Sequence, residues 1–312
     1  MAENNTLLAV LELDSNPDLL ISRAAWIAKA FNLNVHMVLY EPDSGALLGS
    51  FSISHEADEV RKRIHHAQAE IVEEYAVKLR SEGIEVSTAV LRLRPLGERI
   101  LDIAAVVKPK LVLKSTTYHS AAERSILVDS DWQLMRICAY PLWLVKADSM
   151  PDKPTIVAAV DPSNAHDKPA ALDREIVLSA QAVAHAVGGN VELLHIYERL
   201  PGIGRAAIKA LNPQVLQVDE IDARIKEQHR SALDKLAVAC EIEPDRVHQL
   251  PGHTHEILPM FTRTRPTGLL VMGALARWGV KKMIIGSTTE RVIDHVACDV
   301  LIVRLSEHQL HG

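Results

Sequence analysis

The chain runs through the same order of elements twice, and that repetition leaves few folds open to it. In the first half an apolar run at 7–12 (LLAVLE) precedes an amphipathic stretch at 18–32, a second apolar run at 34–40 (NVHMVLY) and a long stretch of helical period at 55–83. EVSTAVLRL, a helix around ERILDIAAVV, the buried run LVLK at 111–114, a helix at 130–139 and PLWLVK complete it. The second half reads TIVAAVD, a helix at 174–189, NVELLHIYE, a long helix at 218–241, RVHQLPG, a helix at 255–264, GLLVMG, a helix at 289–297 and DVLIVR. Short runs of Val, Ile and Leu predict strands, and the segments between them have helical period. Such alternation implies an α/β fold, with a parallel sheet covered by helices on both faces. NVHMVLYEP matches NVELLHIYE, and DWQLMRICAYPLWLVK shares its pattern with ERVIDHVACDVLIVRL about one domain later. A polar linker with two prolines, KADSMPDKP, separates the expected domains 1–147 and 153–312.

The stretch 271–289, VMGALARWGVKKMIIGSTT, carries the chemistry. An apolar strand ends on Gly273, Ala276 follows three residues later, and after nine more residues comes Gly286-Ser287-Thr288. Small residues at these places let backbone amides approach phosphate oxygens. The hydroxyls of Ser287 and Thr288 add donors, and the helical segment they open directs its positive end at the same spot. The pattern proposes a nucleotide phosphate site. The competing reading is an ordinary strand-to-helix turn.

Composition narrows the class. Hydrophobic residues make up 48% and aromatics only 4%, a balance suited to helices packed on buried parallel strands. Net charge is -6 and both halves are acidic, so nucleic acid is not an expected partner. Cys138, Cys240 and Cys298 lie far apart with no CxxC spacing, as free thiols in a reducing compartment do. The first residues, MAENNTLLAV, do not read as a signal peptide, and no segment has the apolar length of a membrane span. A cytoplasmic protein is the expectation.

These residues together resemble the universal stress protein family in its tandem, two-domain form. The likeness rests on VAAVDPS with Asp161, on VMGALA, and on GSTTERVIDHVACDVLIV in the second half, and on LVLKSTTYHSAAERSILVDSDWQLMRICAYPLWLVK in the first. It implies two flavodoxin-like (adenine nucleotide alpha hydrolase-like) domains, each with a five-stranded parallel sheet between helices. It further implies an adenine nucleotide, ATP with or without Mg, in the second domain. Carried over by position, Asp161 accepts from adenine or ribose, Gly273 matches the first glycine, and Gly286, Ser287 and Thr288 match the phosphate end. Pro162, Ile196, Met272 and Thr289 complete the set. Ala276 departs from the family's second glycine, and its methyl costs of order 1 kcal/mol if the backbone there is left-handed. The family's terminal strands commonly pair subunits, so PLWLVK and DVLIVR imply an internal pseudo-dimer or a homodimer.

The first half departs further. Lys114 stands at the first glycine, Val128, Asp129 and Ser130 stand where the second half has Gly286, Ser287 and Thr288, and Glu12 stands near the Asp161 position. A carboxylate repels a triphosphate and a valine blocks close approach, so this half is expected not to bind ATP. Lys114 is expected to pair with Asp129 or Asp131 across the vacated cleft.

Other patterns carry less. Gly202-Ile-Gly204-Arg205-Ala206-Ala207 imitates a dinucleotide fingerprint but comes several residues after the strand ends near Ile196. His248, His253 and His255 crowd together without the spacing of a zinc motif. No GxSxG elbow, Cys–His arrangement or Walker lysine is present, although Lys281 and Lys282 lie in the nine-residue spacer. Binding rather than rapid turnover follows. The alternatives are slow ATP hydrolysis without an identified base, and a nucleotide-independent carrier or scaffold using the first cleft.

Overall fold

The computed structural model describes residues 5–40, 55–91, 96–116, 134–135, 138–163, 170–199, 218–274 and 292–305. The chain separates into two compact units, with the break between Asp148 and Ser149.

In the first unit the order is β1 (Thr6–Leu11), α1 (Pro17–Phe31), β2 (Asn34–Leu39), α2 (His55–Ser81), β3 (Val86–Val90), α3 (Leu96–Val107), β4 (Leu111–Ser115) and β5 (Leu142–Val145). Its strands lie in the order β3-β2-β1-β4-β5, and their pairings are parallel. The second unit repeats it with β6 (Thr155–Val160), α4 (Ala170–Val187), β7 (Asn190–Tyr197), α5 (Val218–Ala239), β8 (Val247–Pro251), α6 (Thr254–Arg263), β9 (Thr267–Gly273) and β10 (Asp299–Val303). There the order is β8-β7-β6-β9-β10, again parallel. Both units therefore have the flavodoxin-like α/β architecture.

The sequence explains why the strands are central. β1, β4, β5 and β10 have every or nearly every side chain buried, because helices cover both faces of a parallel sheet. Local signals set the helix ends. Asn16 caps α1 with its side chain accepting from the Leu19 amide, Pro17 occupies the first turn, and Asn32 closes the helix in the left-handed region at φ 50°. α4 begins at Ala170, four residues before the expected start, and places Asp173 in its first turn, where a carboxylate is favoured.

In each unit the chain reverses direction across the sheet beside the first strand, between β1 and β4 and between β6 and β9. Such a switch point opens a crevice at the carboxyl ends of the strands, where α/β sheets take ligands. All three cysteines are buried, and none of them is in a disulfide. Among the described residues no helix is long and apolar enough to cross a membrane.

Candidate functional site

The crevice of the second unit lies where β6 and β9 end. Asp161 follows the last residue of β6, and Gly273 is the last residue of β9. Asp161 is held from two sides. Its backbone amide donates to Asp173 Oδ1 of α4 at 2.9 Å, and its own Oδ1 accepts from the Ser163 hydroxyl at 2.7 Å. Asp173 is almost wholly buried. Its carboxylate thus ties the end of β6 to the first turn of α4, and the Asp161 side chain stays half-exposed at the opening.

Strand alternation sorts the neighbours of Asp161. A Cβ on Gly273 would lie 2.8 Å from Leu172 Cδ2 and 3.1 Å from Ile176 Cδ1, so this position faces α4 at close quarters. Met272 therefore faces the other side of the sheet, together with Leu194 and Ile196, which the register places on that same side. Ile196 is half-buried and Met272 is buried. Pro162, also half-buried, continues from Asp161. The structure thus brings Asp161, Pro162, Ile196, Met272 and Gly273 to one end of the sheet. Ala276, Gly286, Ser287, Thr288 and Thr289 lie outside the described residues, as do Lys281, Lys282 and the 202–207 glycine string. Gly273 also has a packing reason to be glycine, independent of any phosphate.

The first unit differs at matching positions, and the register corrects one expectation. Lys114 pairs with Leu144 and Ser115 with Val145, while Met272 pairs with Ile302 and Gly273 with Val303. The next amide in each unit, Thr116 and Ala274, donates at 3.0 Å to the carbonyl of Val145 and Val303 respectively. Ser115, not Lys114, therefore takes the place of Gly273, and Lys114 takes that of Met272. Both runs are apolar on both faces, so no alternation was available to set the match. Lys114 Nζ donates to Glu12 Oε2 at 2.5 Å and to the Ser115 carbonyl at 3.2 Å, with only 2% of its side chain exposed. Asp129 and Asp131, the expected partners of Lys114, lie outside the described residues. Glu12 itself follows the last residue of β1 as Asp161 follows that of β6.

Sequence reasoning overlooked a polar chain beneath the second crevice. His195, in the apolar run of β7, is fully buried. Its Nδ1 lies 3.0 Å from the Val160 carbonyl and 3.9 Å from Asp161 Oδ1, and its Nε2 lies 2.7 Å from His229 Nδ1 on α5. The Tyr197 ring packs 5.5 Å from that of His229. Burial pushes the Tyr197 phenol above its ordinary range, and nearby Asp222 adds to this while Arg199 opposes it. The signal was a histidine inside an otherwise apolar strand, which needs hydrogen-bond partners to be buried.

The crowded histidines go to separate carboxylates. His248 Nε2 lies 3.1 Å from Glu192, which also receives Arg265, and His253 Nδ1 lies 3.1 Å from Glu198. Burial holds His248 below its ordinary pKa, against the pull of Glu192. Among the described residues no group of three side chains has the arrangement of a metal centre.

The family model described as the universal stress protein family matches residues 3–146 and again 154–304. The chain is 26% identical over 306 residues to universal stress protein E of Photorhabdus laumondii, covering 97% of this chain and 96% of that protein. It is 24% identical over 310 residues to universal stress protein E of Escherichia coli K12, covering 99% and 96%. The solved universal stress protein from Archaeoglobus fulgidus DSM 4304 shares the fold with a TM-score of 0.65 at 18% identity, over 98% of each chain. The chain belongs to the universal stress protein family, in tandem form.

Proposed function

From membership of that family and the geometry of the second crevice, we propose that the protein binds adenine nucleotide, ATP foremost, at the switch point of its second unit. In this reading it is a cytoplasmic stress-response binding protein, and its first unit is a copy that no longer takes nucleotide. The observation that carries the reading is the contrast at matched positions. The first unit sets Lys114 against Glu12, and the second has Met272 with Asp161.

Each residue has a physical task. The Asp161 carboxylate, steadied by Ser163, accepts from base or ribose donors. Ile196 and Met272 offer an apolar surface to a flat base, the usual composition of a ligand pocket with few polar groups. Gly273 ends β9 against α4, and from there the chain runs on to Gly286, Ser287 and Thr288. Amides and hydroxyls of those three, and of Thr289, would receive the phosphates with any accompanying Mg. The sequence has Ala276 where the family's pattern has its second glycine. Among the described residues, the side chains around Asp161 offer a carboxylate, a hydroxyl, an imidazole and apolar surface but no activated nucleophile, which favours binding over turnover.

Calorimetric titration of the intact chain with ATP, ADP and AMP tests the reading. One site per chain is expected, weakened at least about tenfold by Ser287→Asp, which puts a carboxylate among the phosphates. Equal affinity in Ser287→Asp, or no heat with any of the three, would contradict it.

A further inference from the structure

We propose that His195 and His229 form a proton-holding pair wired to Asp161, so that a ligand seated on Asp161 and the protonation of this pair control one another. The ligand half of this statement rests on the reading of the second crevice as a nucleotide site. The coupling half does not.

The hydrogen bonds order the protons. A carbonyl oxygen only accepts, so His195 Nδ1, 3.0 Å from the Val160 carbonyl, carries a hydrogen. In the neutral ring Nε2 then accepts, and the hydrogen of the 2.7 Å contact belongs to His229 Nδ1. His229 Nε2 is left as the position that takes the next proton. His229 is half-buried on α5, whereas His195 is sealed inside β7. A proton arriving at His229 therefore places positive charge on a pair whose inner ring lies 3.9 Å from Asp161 Oδ1. Burial holds the His229 pKa below its ordinary value, the neighbouring His195 adds to this, and Asp161 pulls in the opposite direction.

Among the described residues, the charged and titratable groups around the pair come from β6, β7, β8 and α5. The end of β6 contributes Asp161, and β7 contributes Tyr197. Arg199, just past β7, binds Asp222 of α5 at 2.8 Å and so joins the two elements beyond Tyr197. On the β8 side, Gln249 donates to the Lys226 carbonyl of α5, and His248 faces Glu192. Among the described residues, the carboxylate that acts on His229 is the one at the crevice. The first unit supplies an internal control. Leu11 pairs with Leu39 where Val160 pairs with His195, so a fully buried leucine occupies the place of the inner ring.

The direction follows from charge. An anion bound at the ends of β6 and β9 favours the protonated pair, so binding takes up a proton, and acidification tightens binding by the same factor. The protein would then report acidification through nucleotide occupancy.

Two measurements on the full chain decide the matter. The first follows the imidazole Cε1–H resonances against pH in the wild type and in Asp161→Asn, which keeps the shape and removes the charge. The His229 midpoint is expected to move to lower pH in the variant, and an unmoved midpoint overturns the coupling. The second titrates ATP near the ordinary histidine pKa of about 6.5 in phosphate and in Tris, whose ionisation heats differ. Proton uptake is expected in the wild type and its loss in His229→Gln, which retains a donor toward His195. The same uptake in both, or none in a wild type that binds ATP, overturns the linkage. A shifted midpoint with no ATP binding at all would support the coupling and sink the nucleotide reading instead.

Discussion

The two units share strand order, the register at the strand ends and the position of the switch point, yet they place opposite chemistry there. In the first, a buried lysine meets Glu12, so the crevice carries its own counter-charge. In the second, a methionine takes the lysine's place, and Asp161 is steadied by a hydroxyl and lies near an imidazole. A scaffold that keeps the same register at the strand ends can therefore hold an internal ion pair in one copy and a carboxylate beside a methionine and an imidazole in the other. Function resides in the side chains at the strand ends, and the fold alone does not assign it.

Replacing the counter-charge should break this comparison most severely. Lys114→Met leaves Glu12 beside an apolar side chain, and losing one partner of a buried pair costs about 3 kcal/mol or more. The double variant Lys114→Met/Glu12→Leu should recover most of that loss. Urea unfolding followed through Trp26 and Trp143, whose rings lie 6.2 Å apart in the first unit, would show whether it does.

Exchanging the glycine position comes next. Gly273→Ser gives the second unit the residue of the first, but the new Cβ lies 2.8 Å from Leu172 Cδ2 and 3.0 Å from its Cγ. Overpacking of this kind costs about 1–3 kcal/mol, and a shift in the unfolding midpoint of the second unit would register it.

Acid should then separate the units more mildly. Burial lowers the pKa of His36 in the first unit and, as the largest cause, those of His229 and His248 in the second. For each, the unfolded chain binds a proton more readily than the folded one. Their contribution is full above about pH 6.5 and is lost as pH falls toward the folded-state values. Unfolding measured between neutral and mildly acidic pH should show a steeper loss for the second unit. The smallest effect is expected at Ser115, whose buried hydroxyl has no hydrogen-bond partner. Ser115→Ala should change stability by less than about 1 kcal/mol, with a gain as natural as a loss.

The alternation of strands and helices was readable because each run is short, apolar and bounded by polar helical segments. Asp161 and Gly273 could be placed because they stand where those runs stop. What the residues concealed has a common cause. LVLK and GLLVMG are buried on both faces, so they lack the period of two that would say which residue points where. The match of Lys114 to Gly273 was consequently one residue out. The same loss of period hid His195, which reads as an interruption of an apolar strand until α5 is seen to bring His229 onto it. Asp173 was missed for a different reason. The periodic apolar face of α4 becomes strong only after it, so its role at the end of β6 depends on a contact across twelve residues.

Equilibrium dialysis of the intact chain with radiolabelled ATP, for the wild type and for Met272→Lys, tests the central claim most directly. The substitution gives the second unit the lysine that the first unit carries at the matched position. One nucleotide per chain in the wild type and none in Met272→Lys is the predicted result. Two per chain, or undiminished binding with a lysine facing Asp161, would contradict the division of labour between the units.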